Sequence, residues 1–277
     1  MAFKREHYEF DPAEQVRIIE DFIKTYFAEN GNPNTKAVIG ISGGKDSTIA
    51  AALLVRALGP DRVIGVLMPE SVQTDIDDSR KVCEILGIHG IEINVGPACS
   101  ALYRAIDEGY DYDHTCRNTP AVVTNTPARI RMATLYAVAA MVGGRVCNTG
   151  NASEAFIGYT TKYGDLAGDF AILRNLTVRE IYAIGDYLEL PILLVHKQPA
   201  DGMSGKTDEE NTGIPYDAID DFLLRSSFPP LDVYEKMTAA HKRNRHKNVI
   251  QLPAPQRTSG YLSRLEHDCC WDSPWEF

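Results

Sequence analysis

The sequence predicts an α/β protein built on a doubly wound parallel sheet with helices on both faces. Three observations predict it. Short apolar runs alternate with helical stretches from residue 37 to residue 148. Of 277 residues, 44% are hydrophobic and 24% charged, an ordinary composition that can bury a real core. A glycine-rich polar turn directly follows the first apolar run, where open α/β sheets carry their ligands.

The elements follow in order. Val16, Ile18, Ile19, Phe22, Ile23 and Phe27 recur at helical spacing and predict an amphipathic first helix. Residues 37–41 are a continuous apolar run, suited to a strand buried on both faces. A helix is expected over 47–58, stopped by Gly59-Pro60, then a strand over 62–68. A helix over 75–86 ends at Gly87, followed by a third strand over 91–95 and a helix from Pro97 toward Ile106. After a loop rich in Tyr, Asp and Thr, Pro127 suits the first turn of a helix that starts at Thr126 and runs to Val142. Gly143-Gly144 stops it, and a fourth strand covers 145–148. Beyond Thr177 the pattern is helical over 177–188, 216–224 and 231–246. Residues 201–210 combine glycines with charge and read as a mobile loop, a candidate lid. No linker or repeat divides the chain, so one compact domain is expected.

Composition narrows the function classes. Lys plus Arg number 28 against 38 Asp plus Glu, a formal charge of −10 that disfavours nucleic acid and anionic membrane as partners. No run approaches a membrane span, and the first residues lack the apolar core of a secretory signal. Cysteines at 83, 99, 116, 147, 269 and 270 form no Cys-x-x-Cys pair, which suits reduced thiols in a cytoplasmic protein. Small-molecule chemistry is the expectation.

The turn after the first strand reads Gly40-Ile41-Ser42-Gly43-Gly44-Lys45-Asp46-Ser47. Adjacent glycines let backbone approach a ligand closely, and the amides opening the next helix face an anion. Ser42 and Ser47 add hydroxyls, while Asp46 can hold a magnesium ion that neutralises phosphate charge. The Walker pattern fails, because Ile39 stands at its first glycine and Asp46 follows the lysine. Helix capping by Asp46 or Ser47 would explain one residue of this motif, not six in order after a strand.

Ser-Gly-Gly-x-Asp-Ser resembles the signature of the ATP pyrophosphatase superfamily, whose members cleave ATP between its α and β phosphates. Within it, Asn125 to Met132, Asn148 to Glu154, Gly158 to Asp165, Lys206 to Glu210 and His246-Lys247 resemble the ammonia-dependent NAD+ synthetases. The likeness runs from the first helix to about Pro253, with residues 254–277 an unmatched tail of a single 1–277 domain. It implies a Rossmann-like fold, a homodimer, and amidation of deamido-NAD+ by ammonia through an adenylated intermediate, with AMP and pyrophosphate released. It also implies Mg2+ on Asp46 and Glu154, and ATP on Gly40 to Ser47 and Thr149. Arg129, Lys162, Asp169, His246 and Lys247 would contact deamido-NAD+. Two positions depart from the family: Val178 where many members carry Lys, and Ala200 where Ser or Thr commonly follows Pro. Arg179, beside Val178, supplies a cation for ATP in a different geometry.

The residues themselves leave alternatives open. Asn151 and Glu154 have capping-box spacing as well as a place at a strand end. Arg129 and Arg131, two apart on a helix, cannot face the same way. The basic run from His241 to Lys247 either closes a helix or clamps a pyrophosphate. A GMP-synthetase-type ligase and a non-catalytic nucleotide-binding module are the competing functions. Free ammonia rather than glutamine is the expected nitrogen donor, because no stretch beyond the synthetase resemblance is long enough for an amidotransferase.

Overall fold

The computed structural model describes residues 8–70, 76–109, 119–196 and 207–249. Five parallel strands form one sheet in the order β3-β2-β1-β4-β5. They are β1 (Lys36–Gly40), β2 (Val63–Leu67), β3 (His89–Glu92), β4 (Gly144–Asn148) and β5 (Phe170–Ala171). The fifth strand, two residues long, lies in the short apolar run Phe170 to Leu173 and escapes the sequence reading. The chain winds outward from β1 to β3, then crosses back to place β4 on the other side of β1. That reversal opens a crevice beyond the carboxyl ends of β1 and β4, the usual ligand position in such sheets.

The helices are α1 (Pro12–Glu29), α2 (Lys45–Leu58), α3 (Ile76–Leu86), α4 (Gly96–Gly109) and α5 (Pro120–Val142). After β4 come α6 (Ala152–Ile157), α7 (Val178–Tyr187), α8 (Ile192–Val195), α9 (Asp208–Thr212), α10 (Tyr216–Leu223) and α11 (Leu231–Asn244). One face of the sheet packs Ala37, Ile39 and Val63 against Ile19 and Ile23 of α1, Ile49 and Leu53 of α2, and Ile181 of α7. On the other face, Val38, Val66 and Val146 meet Met132, Leu135 and Val138 of α5. Both faces are covered, so β1 and β2 are buried almost throughout, as their unbroken apolar runs require. A smaller core of Phe156, Val178, Ile219, Phe222 and Met237 joins α6, α7, α10 and α11.

Five boundaries need correction. Strand β3 runs over His89–Glu92, not 91–95. Helix α5 starts at Pro120, not Thr126, so Pro127 lies inside it. Two prolines compete for the first-turn position, and Thr119-Pro120 takes it. Helix α2 starts at Lys45, with Gly44 rather than Asp46 or Ser47 as its cap residue. Helix α11 ends at Asn244 and continues as a tighter turn over Arg245–Val249. In the expected mobile loop, Asp208 to Glu210 instead open α9, capped by Thr207 and Glu210. Residues 201–206 of that loop, Ala200, and the 254–277 tail lie outside the described residues. Among the described residues no helix is long and apolar enough to cross a membrane.

Candidate active site

Strand β1 ends where the glycine-rich turn begins, and the turn is held from within. Ser42 N donates to Ser47 Oγ at 3.2 Å, the two hydroxyls lie 3.0 Å apart, and Ser47 Oγ donates to Gly44 O at 3.1 Å. Gly43 has φ +78°, and a Cβ there would stand 2.9 Å from Asp78 Cβ, so both conformation and space demand glycine. No side chain caps the start of α2 at Gly44, which leaves its first amides available to an anion.

The turn after β4 closes on this loop. Asn151, fully buried, begins α6 with a reciprocal capping box. Its side chain accepts from Glu154 N at 2.9 Å, and Glu154 Oε2 accepts from Asn151 N at 3.0 Å. The same Asn151 side chain donates to Asp46 Oδ1 at 3.3 Å. The capping alternative for Glu154 therefore holds, and one asparagine also links its carboxylate to that of Asp46. Thr149 lies in the same turn, half-buried.

Lys45 completes the cluster. Its ammonium is 2.8 Å from Asp46 Oδ2 and lies over the rings of Tyr182 and Tyr216, at 5.8 and 5.9 Å. The side chain is only 4% exposed. Burial opposes its charge, but Asp46 and Glu154 outweigh that and hold it above the ordinary lysine range. Glu154 is pushed up to about 8, first by desolvation and then by Asp46, with Lys45 pulling the other way. Two carboxyls thus share one cation in a site that disfavours two negative charges. Arg174, in the turn after β5, adds a second cation felt by Glu154. Asn248 accepts from its NH2 group at 3.3 Å, and its buried NH1 has no hydrogen-bond partner.

A second group of cations gathers around residues 158–165. Arg129 Nε donates to Lys162 O at 3.2 Å, and Lys162 Nζ donates to His246 O at 3.0 Å. Lys247 Nζ donates to Gly158 O and Thr160 O, both at 2.8 Å. Arg131 points the other way, donating to Met68 O, as its two-residue offset requires. Asp169 stands apart from this group: its carboxylate accepts from Val146 N at 2.7 Å just before β5. Arg179 is occupied by Asp221 at 2.8 Å and Asp217 at 3.7 Å.

The glycine-rich turn and the paired carboxylates thus stand beyond the carboxyl ends of β1 and β4, and the NAD synthase family model matches residues 15–254. The chain belongs to the NAD synthase family. It is 37% identical over 248 residues to an NH(3)-dependent NAD(+) synthetase of Alkaliphilus metalliredigens, covering 86% of this chain and 96% of that one. A Pyrococcus furiosus protein of the same description is 37% identical over 211 residues, 76% of each chain. Among solved structures, an NMN synthetase from Francisella tularensis aligns with TM-score 0.78 and 32% identity, over 88% of this chain and 98% of that one. An NH3-dependent NAD synthetase from Campylobacter jejuni gives 0.68 and 26%, with the same coverage.

Within this NAD synthase fold, sequence reasoning found Asp46 and Glu154 but missed Arg174, Tyr182 and Tyr216. The tyrosines are spaced like core aromatics. Arg174 follows the short apolar run Phe170 to Leu173, the one signal that could have placed it after a strand.

Proposed function

We propose that this site joins ammonia to the nicotinate carboxylate of deamido-NAD+, consuming ATP and releasing AMP and pyrophosphate through an adenylated intermediate. One observation carries the reading: Asn151 ties the carboxylate that ends the phosphate turn to the one that follows β4. Two carboxylate oxygens beside a phosphate-binding turn are the hard, partial donor set that magnesium prefers, with phosphate oxygens and water completing the shell. The rise in Glu154 toward 8 supports the fit, since the pair lacks enough positive charge. Asp46 and Glu154 would hold the ion, which when bound neutralises charge on the phosphates.

The chain's own groups account for the rest. A carboxylate does not react with ammonia directly, because oxide would have to leave. The acid first attacks the α-phosphorus, and ammonia then displaces AMP from the mixed anhydride. Such a transfer needs positioning and charge stabilisation rather than a protein nucleophile. The α2 amides, Ser42 and Ser47 would face the phosphates, while the buried Arg174, which feels the charge of Glu154, offers NH1 as a free donor. Arg129, Lys162 and Lys247, with His246 beside them, form a basic rim suited to an acidic dinucleotide. The ATP role of Arg179 needs release from its Asp221 and Asp217 pairs, and a substrate role for Asp169 needs release from the β4 backbone.

The test is AMP and pyrophosphate release in the presence of ATP, Mg2+, ammonium and deamido-NAD+. Nicotinate mononucleotide belongs in the same panel, because the solved structure aligning at TM-score 0.78 is an NMN synthetase. Xanthylate covers the GMP-synthetase alternative. No AMP with any of the three would leave a binding module. A homodimer fits the exposed Val123, Tyr136 and Met141 of α5, and a reducing cytoplasmic setting fits the free Cys83, Cys99 and Cys147. The net charge of −10 supports the absence of a nucleic-acid partner.

A further inference from the structure

We propose that Lys45 is a built-in counter-cation of the Asp46–Glu154 pocket, displaced by the arriving metal and transferred to the phosphates of the nucleotide. The inference rests on reading those two carboxylates as magnesium ligands.

Position makes Lys45 unusual. It is the first residue of α2, the positive end of a helix, where a cation is disfavoured. It is also almost wholly buried, which penalises an ammonium unless it is paired. Asp46 Oδ2 at 2.8 Å and the faces of Tyr182 and Tyr216 compensate for both effects. Anion binding alone does not call for this arrangement, since the uncapped α2 amides already supply donors. What the ammonium supplies is positive charge for carboxylates that otherwise lack it.

A divalent ion on the same carboxylates changes the balance. Lys45 would then face a like charge and the helix terminus together, in a site poor in water, with its Asp46 partner engaged elsewhere. Phosphate oxygens arriving with the metal offer it a replacement partner next to the turn it springs from. The ammonium therefore opposes bare metal and favours metal with nucleotide, a coupling that runs equally in both directions. Tyr182 and Tyr216 flank the side chain and can carry its aliphatic stem through the exchange.

Mn2+ binding, read by electron paramagnetic resonance on the full chain, tests this with and without a non-cleavable ATP analogue. Wild type is expected to bind bare Mn2+ weakly and to tighten strongly when the analogue is added. Lys45→Met should bind bare Mn2+ roughly tenfold more tightly or better, and gain much less from the analogue. Equal or weaker bare-metal binding by Lys45→Met overturns the proposal while leaving the metal site standing. Absence of Mn2+ binding in both proteins, even with the analogue, removes the magnesium reading and the proposal with it. A second measurement needs no variant: acylation of the Lys45 amine in wild type, read by mass spectrometry, should accelerate several-fold at saturating Mg2+. An unchanged or slower rate overturns the exchange.

Discussion

Asp46→Asn keeps the shape of the side chain and removes its charge. The amide can still meet Asn151, so the protein should fold, while adenylation should fall by on the order of 10²-fold or more. Pyrophosphate release at the wild-type rate would reduce Asp46 to a partner of Lys45. Arg174 gives the opposite signature. Its buried NH1 lacks a hydrogen-bond partner, and burial drags the guanidinium below its ordinary range. Arg174→Met should leave thermal stability unchanged or higher, yet raise the KM for ATP or the acid substrate by about tenfold. Melting curves alongside steady-state kinetics check both halves. At this scale the sequence revealed the loop Gly40 to Ser47 and the two carboxylates, because backbone constraint and charge leave marks in local order. It did not reveal Arg174, Tyr182 or Tyr216, whose roles come from neighbours distant along the chain.

Between elements, one buried carboxylate fastens three helices. Asp220 of α10, 1% exposed, accepts from Ser153 Oγ of α6 at 2.5 Å and from Arg179 N of α7 at 2.8 Å. Ser153 Oγ in turn accepts from Val178 N at 3.2 Å. Ser153 precedes Glu154, so this tie sets where the α6 carboxylate stands. Desolvation raises Asp220 to about 6, against the pull of Ser153 and Arg179. Since the folded state keeps this proton to higher pH than the unfolded state, unfolding releases it between about pH 4 and 6. The Asp220 contribution to stability is therefore full below about pH 4 and is lost as pH rises through 6. The stability difference between wild type and Asp220→Asn should shrink across that window and level off above it, as urea titrations at several pH values can show. Helix periodicity announced α7, α10 and α11 from the sequence, and alternation announced four strands. Pro127 misled because a proline suits a helix start by geometry, yet tertiary packing carried α5 past it from Pro120. β5 escaped because its apolar run, Phe170 to Leu173, is only four residues long and has no helical stretch before it to continue the alternation.

For the molecule as a whole, the attacking species is neutral ammonia, since ammonium has no lone pair. Apparent KM for total ammonium should fall as pH rises toward the pKa of ammonium, until a group on the enzyme titrates. Steady-state assays with glutamine substituted for ammonium, and free ammonia scavenged, should give no NAD+. The sheet order β3-β2-β1-β4-β5 carries one more consequence, for the order in which the chain assembles. Partners of β1 arrive at very different times: Val38 pairs with Ile64 across a short crossover, but with Val146 only after about half of the chain has been made. Closing the longer loop costs somewhat more entropy, and non-local parallel pairing is intrinsically slow. The β1–β2–β3 half can form early, whereas the β1–β4 seam, and with it the meeting of Asp46 and Glu154, belongs to the late stage. During synthesis the phosphate turn must wait, its buried lysine still without the Glu154 carboxylate, until the ribosome has delivered α6.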